Sequence, residues 1–355
     1  MSAAARPFAF LCLCLAWGLV QCAILAAGFL PVFADEAAGR APGAEARFQA
    51  SPVAGREWED SWDADARDAK RALPNDAAPP AVRRPGVMLP PLPEDAAGVI
   101  RRVELPRGEK AVALTFDMCE LATSTSGCDM GILGFLRERR IPATLFMGGK
   151  WMRTHERRVR QILAEPLFEV ANHAWTHGNC ALLSPEGLKA QVLWTQAQYG
   201  ILRDSLPPAL RDAAPPVPTL FRLPYGRASE AALRIINSLG LRVVLWDVVA
   251  EQGDSSRPGA ARRIAAAVAE QVRPGSILLL HANLVPKGSA ELVRELVPLL
   301  RERGYAFVTA GRLLSMGAAH PRMDGAYFTR PGDNLSLDRK FGVDGTGLKV
   351  PFTGR

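Results

Sequence analysis

From Glu109 onward, short apolar runs alternate with amphipathic stretches along the chain. The runs at residues 111–116, 143–147, 168–171, 219–222, 242–247, 276–280 and 306–309 predict strands buried on both faces. Helical periodicity fills the gaps at residues 129–139, 154–164, 185–203, 230–239, 258–272 and 290–303. Several helices carry their own start and stop signals: Thr154 and Ser184 as caps, Pro185 in a first turn, Ser229 and Gly240 flanking one helix and Gly304 ending another. This rhythm implies a parallel sheet. About seven repeats in roughly 200 residues favour an α/β fold of the distorted or incomplete (β/α) barrel type, related to the TIM barrel, with an open doubly wound sheet as the alternative.

The flanks are patterned differently. Arg6 precedes an apolar run over residues 8–30, broken mainly by Gln21, and Val32-Phe33-Ala34 before Asp35 offers a small-residue cleavage site. Residues 1–34 are therefore expected to act as a signal peptide or signal anchor. That places the protein in the periplasm or outside the cell, tethered to the inner membrane through residues 8–30 if the run is retained. Residues 35–106 are rich in Ala, Pro, Asp, Glu and Arg with little periodicity, which predicts a disordered tether, with Trp58 and Trp62 as its available docking points. Residues 107–316 carry the strand and helix alternation and form the expected folded domain. Residues 317–355 carry turn residues without a period and are expected to be a loosely packed or disordered extension.

Composition narrows the partners. The 355 residues carry a formal charge of +7, but the basic residues spread over predicted helix faces and are not interleaved with aromatics. A nucleic-acid partner is not expected; a basic surface suits an anionic envelope polymer or a membrane surface. Cys119, Cys128 and Cys180 lie beyond the signal, and an odd number in an oxidising compartment predicts one disulfide and one free thiol, pairing Cys119 with Cys128 or with Cys180.

In a parallel barrel the chemistry collects where strands end. Asp117 follows the first predicted strand, His173 and His177 the third, Arg222-Leu223-Pro224-Tyr225-Gly226 ends the fourth, Trp246-Asp247 ends the fifth and His281 follows the sixth. Individually these residues read as helix caps, a surface charge or a satisfied core histidine. Together on one rim they read as a site. Two of only five histidines sit four residues apart in Asn172-His173-Ala174-Trp175-Thr176-His177, and on a turning or helical backbone such a pair can share a divalent metal.

Thr115-Phe116-Asp117, His173-Ala174-Trp175-Thr176-His177, Arg222-Leu223-Pro224-Tyr225-Gly226 and Leu279-Leu280-His281, in this order, resemble the signatures of the polysaccharide deacetylase family, the group with the NodB homology domain (carbohydrate esterase family 4). The resemblance runs from about Glu109 to Met316. It implies a NodB-like barrel and a metal-dependent amidase that removes acetyl groups from an N-acetylated glycan of the envelope or exterior. On these positions it implies Asp117 as general base, His173 and His177 as ligands of a divalent metal, usually zinc, and Arg222 as the partner that fixes Asp117. It further implies the backbone N–H of Tyr225 as oxyanion donor, with Trp246 and Asp247 on the substrate side, and His281 as the acid that protonates the departing amine.

Two positions depart from the family pattern. Met118 stands where a second Asp normally completes the metal site; Glu120 is the nearer candidate replacement, Asp129 another with a helix cap as its ordinary role, and Cys119 a third if it remains a thiol. Val249 stands where an Asp normally tunes the acid histidine, leaving Asp247 or Asp254 for that task. These changes keep two alternatives open: a related amidase or esterase with altered or no metal use, and a non-catalytic glycan-binding pseudoenzyme.

Overall fold

The structure, a computed structural model, describes residues 62–69 and 74–345. The expected signal segment, with Cys12, Cys14 and Cys22, and Trp58 lie outside the described residues. The strands are β1 (Val99–Ile100), β2 (Val103–Glu104), β3 (Ala111–Met118), β4 (Ala143–Met147), β5 (Phe168–Asn172), β6 (Leu220–Phe221), β7 (Arg242–Val244), β8 (Val248–Val249), β9 (Ile277–His281), β10 (Ala306–Val308) and β11 (Ala318–Ala319). The helices are α1 (Met130–Glu138), α2 (Gly149–Thr154), α3 (Glu156–Ala164), α4 (Pro185–Asp204), α5 (Pro208–Ala213), α6 (Glu230–Ser238), α7 (Ala260–Gln271), α8 (Ser289–Glu302), α9 (Ala310–Leu314) and α10 (Ser336–Phe341).

Among the described residues nine strands form one parallel sheet in the order β1-β7-β6-β5-β4-β3-β9-β8, with β10 added against the start of β3. Residues 242–249 close the curl. Their first part, β7, pairs with β6 and β1, and their second part, β8, pairs with β9 on the far side, so one interrupted strand joins the two ends of the sheet. The result is a distorted barrel, as the periodicity predicts. All seven predicted strands are present, and the open doubly wound alternative is not adopted.

Strand alternation divides the core into two layers. Val112, Leu114, Phe116 and Met118 of β3 pack with Leu133 of α1 and Leu296 of α8, between sheet and helices. Ala111 and Ala113 face the barrel interior with Phe221, Val243 and Leu245. The small alanines leave room there for the polar groups at the rim.

Several expectations need correction. Thr154 does not cap a helix: its hydroxyl, with one proton to give, lies 2.9 Å from Lys150 O and 3.0 Å from Glu120 Oε2, and α2 ends there, with α3 beginning after a break at His155. The Pro-rich stretch 206–218 contains α5. No disulfide forms among Cys119, Cys128 and Cys180; Cys128 Sγ contacts Met130 Sδ at 3.7 Å, Cys180 Sγ contacts Gly178 O at 3.7 Å, and all three are free.

The tether reading fails for the described part of residues 35–106. Trp62 stacks obliquely on Phe168 at 6.1 Å with the Arg137 guanidinium 4.1 Å from its ring centre. Asp68 accepts from Arg158 Nε at 2.8 Å and Nη2 at 2.6 Å, and β1 joins the main sheet. Isolated anchors of this kind produce no periodic stripe, which is why composition suggested disorder. The described part of the extension, residues 317–345, is likewise packed: β11 pairs with β2, and residues 334–343 lie against the rim.

Gly275 locks the amino-terminal segment to the barrel. Its N–H donates to Ala111 O at 2.8 Å and its carbonyl accepts from Val103 N at 3.0 Å, at a φ of +82°. A Cβ there would sit 1.7 Å from Val103 O. Gly275→Ala is expected to cost about 2–4 kcal/mol, from the positive φ and the clash together, read as a lower urea midpoint; an unchanged midpoint would contradict this packing.

Candidate active site

The rim of the barrel is built around Arg222, which directly follows β6 and is fully buried. Its Nη1 donates to Asp117 Oδ1 at 2.9 Å, Nε to Val244 O at 3.1 Å and Nη2 to Leu245 O at 3.0 Å. The guanidinium also lies 3.9 Å from the centre of the Phe146 ring. Asp117 is therefore held by one oxygen, with Oδ2 directed toward His173 Nε2 at 3.3 Å. Register puts His281, the last residue of β9, directly beside Asp117.

His173 and His177 sit on the loop after β5 rather than on a helix. Asn172 Oδ1 accepts from Ala174 N at 2.9 Å, and Gln191 grips Thr176 through its N–H at 2.9 Å and its hydroxyl at 2.8 Å. Trp175 packs over Gly149, where any Cβ would meet the indole at 2.3 Å. Left-handed backbone at Ala174 (φ 65°) and His177 (φ 57°) turns both imidazoles inward, with ring centres 4.8 Å apart. Each such conformation costs about 1–3 kcal/mol and persists only where the surroundings impose it, as this loop's anchors do.

His173 Nδ1 lies 2.9 Å from Arg222 O. A carbonyl only accepts, so Nδ1 carries the hydrogen and Nε2 keeps its lone pair when the ring is neutral. Burial pushes the pKa of His173 down, against the raising effect of Asp117, and pushes His177 well down with help from His173 and His281. His173 Nε2 and His177 Nδ1 are buried without a hydrogen bond. A lone pair facing a carboxylate oxygen, beside a second orphaned imidazole nitrogen, fits a cation. Cys119, His173 and His177 each offer a donor atom to this point, and these atoms all lie within 4.8 Å of one another. Without a cation the Cys119 thiol is pushed well up, by burial first and then by the charges of Asp117 and Glu120.

Glu120 does not belong to the metal group, contrary to the expectation from sequence. It forms a fully buried ion pair with Lys150 Nζ at 2.9 Å and also accepts from Ser126 N at 3.0 Å and from Thr154. Asp129 caps α1 through Ile132 N at 3.2 Å. Asp247 is structural as well, holding the start of β9 through Ser276 Oγ and Ile277 N, both at 2.9 Å, and Trp246 is buried beneath the rim. Asp254 binds its neighbours Ser256 and Arg257.

The partner of His281 is Glu251, which the sequence reading missed. Its Oε2 lies 2.5 Å from His281 Nδ1, and its Oε1 accepts from His281 N at 3.1 Å. Burial lowers the His281 pKa, but the Glu251 charge and hydrogen bond outweigh it and the net shift is upward. Alternation was the available signal: position 251 shares the parity of Val249, where the family's acid normally stands.

Tyr225 lies in a 3-10 turn, Pro224–Gly226, with φ 59°. Its ring meets His177 edge-on at 4.3 Å and stacks on Phe341 at 4.8 Å. The segment around α10 clamps this turn: Asn334 Nδ2 donates to Gly226 O at 2.9 Å, Arg227 makes a two-pronged pair with Asp338 at 2.9 and 2.6 Å, and Asn179 N donates to Val343 O at 2.8 Å. Nothing in the pattern of residues 317–355 announced this role.

The family profile for polysaccharide deacetylase matches residues 104–244. A chitooligosaccharide deacetylase of Bradyrhizobium sp. (strain ANU 289) is 30% identical over 210 residues, covering 56% of this chain and 88% of the relative. A peptidoglycan-N-acetylglucosamine deacetylase of Bacillus cereus is 28% identical over 212 residues, covering 59% and 91%. The chain belongs to the polysaccharide deacetylase family. Its barrel matches the crystal structure of the Bc1960 peptidoglycan N-acetylglucosamine deacetylase with a TM-score of 0.51 at 24% identity, over 64% of this chain and 96% of that one.

The separation of Glu120 from the donor cluster is testable. Glu120→Gln leaves the Lys150 cation buried without a counter-charge, at an expected cost of about 3–5 kcal/mol in urea unfolding, while zinc affinity measured by competition with a chromophoric chelator stays unchanged. Lost zinc affinity in a still-folded variant would return Glu120 to the metal site.

Proposed function

We propose that this protein is an exported hydrolase that removes N-acetyl groups from an N-acetylglucosamine-containing glycan of the chitooligosaccharide or peptidoglycan type. The observation that carries this reading is the sorting of roles at one rim: the Asp117 carboxylate held through one oxygen by Arg222, two imidazoles whose pKa values burial lowers, and a third imidazole whose pKa is raised by its own carboxylate partner. Amide hydrolysis needs a base for water, stabilisation of the oxyanion and a proton for a poor leaving group, and this set supplies each. Export is supported by the apolar run over residues 8–30 and the small-residue site before Asp35.

Asp117 takes the proton of the attacking water through Oδ2, its orientation fixed by Arg222. His173 and His177 would hold a divalent ion, zinc being well suited to imidazole donors. Such an ion, when bound, supplies Lewis-acid polarisation of the acetyl carbonyl and lowers the pKa of water. The backbone N–H of Tyr225, turned by its left-handed conformation, donates to the developing oxyanion. His281, paired with Glu251, hands a proton to the departing sugar amine. The pseudoenzyme alternative loses much of its motivation, because Glu251 supplies the acidic partner that Val249 lacks.

The double variant His173→Ala/His177→Ala is expected to lose bound metal, by elemental analysis, together with acetate release from N-acetylglucosamine oligomers and peptidoglycan. Retained acetate release would sink the metal-hydrolase reading. Glu251→Gln addresses the acid. A proton donor works only while protonated, so activity falls as pH rises through the His281 pKa, which Glu251 raises. Removing that charge is expected to move the alkaline descent of kcat/KM to lower pH by about 1–3 units. A descent that stays in place would remove His281 and Glu251 from the acid role.

A further inference from the structure

We propose that Cys119 Sγ is the third protein ligand of the metal, making a centre of one thiolate and two imidazoles that leaves Asp117 free for proton transfer. The inference rests on the hydrolase reading above and specifies its metal chemistry. The donor atoms of Cys119, His173 and His177 already lie within 4.8 Å of one another, and both histidines present buried nitrogens without hydrogen bonds.

The strand explains why the ligand has moved by one position. Successive residues of an extended chain point to opposite faces, so Asp117 and Cys119 share a face while Met118 points away from it. Met118 is fully buried in the layer between sheet and helices, with Phe116 and Leu114. Its thioether is therefore a core side chain and not a degraded ligand. The residue after it is fixed toward the histidines: Cys119 O accepts from Ser126 Oγ at 2.8 Å and from Asn283 Nδ2 at 3.0 Å. The same Asn283 amide lies 3.9 Å from Sγ, where an N–H favours an anionic sulfur.

The carboxylates near the cluster are committed elsewhere. Asp117 is paired with Arg222, Glu120 with Lys150, Glu251 with His281, while Asp129 caps α1 and Asp247 holds β9. Three protein donors leave a coordination position open, the arrangement of catalytic rather than structural zinc. A thiolate in place of a carboxylate softens the donor set, so the site should discriminate for zinc and cobalt against manganese, magnesium and calcium.

The test uses the full-length protein, stripped with a chelator and reloaded with cobalt(II). The expected spectrum has a near-ultraviolet thiolate-to-cobalt charge-transfer band and the visible bands of a tetrahedral ion. Cys119→Ser is expected to abolish the charge-transfer band and to weaken zinc binding by at least the roughly 10–100-fold that loss of an outer-sphere partner alone can cause. A second measurement needs no variant: zinc should protect Cys119 of the unaltered protein from iodoacetamide, mapped by peptide mass spectrometry, with buried Cys128 and Cys180 as internal controls. Cobalt bound without a charge-transfer band, or alkylation of Cys119 that zinc does not slow, overturns the ligand assignment and leaves the hydrolase reading standing. A protein that binds neither zinc nor cobalt overturns both.

Discussion

The rim depends on one buried ion pair. Arg222 is removed from water in the middle of a barrel whose flanking strands, β6 and β7, are only two and three residues long. Taking a guanidinium out of water is expensive, and an isolated Asp117 carboxylate does not offset that cost alone. The remaining donors are satisfied by Val244 O and Leu245 O, just where the β7–β8 strand is interrupted and ladder bonds are missing. The side chain thus replaces sheet hydrogen bonds as well as a counter-charge. It ties β3, β6 and β7 to one point, and its own carbonyl fixes the tautomer of His173. Lysine, with a compact ammonium in place of a planar fork, lacks the geometry to satisfy these acceptors together.

Burial acts on all three imidazoles of the site in the same direction, and neighbours decide the outcome. His177 is driven strongly toward neutrality by burial, reinforced by His173 and His281; His173 is moderated by Asp117; His281 is carried the opposite way by Glu251. Two side chains suited to donate lone pairs and one suited to donate a proton therefore emerge from a single residue type.

The barrel was legible because it rests on local periodicity: every predicted strand and most predicted helices follow from apolar runs bounded by caps and turns. The residues delivered to the rim were legible for the same reason, since strand ends and their order place Asp117, His173, Arg222 and His281 together. What composition misread was held by isolated anchors. Trp62 on Phe168 and Asp68 on Arg158 are single long-range contacts, and a segment made of such contacts has the statistics of a tether. Glu120 was misassigned because nearness in sequence says nothing of Lys150, thirty positions away and buried beside it. Glu251 was within reach of a parity argument, as was the relation between Asp117 and Cys119.

The clamp on Tyr225 belongs to the part of the chain made last among the described residues. Most of the barrel pairs strands that are near neighbours in sequence, but the turn at Pro224–Gly226 acquires Phe341, Asp338 and Asn334 only after the chain has grown past them. Loop closure over such a separation is entropically slower than local pairing. The Arg222–Asp117 pair closes a span of the same order, but both of its residues are made before residues 334–341, so the turn beside His177 is braced only when those later residues return to it. Bracing of the rim therefore waits on residues 334–341.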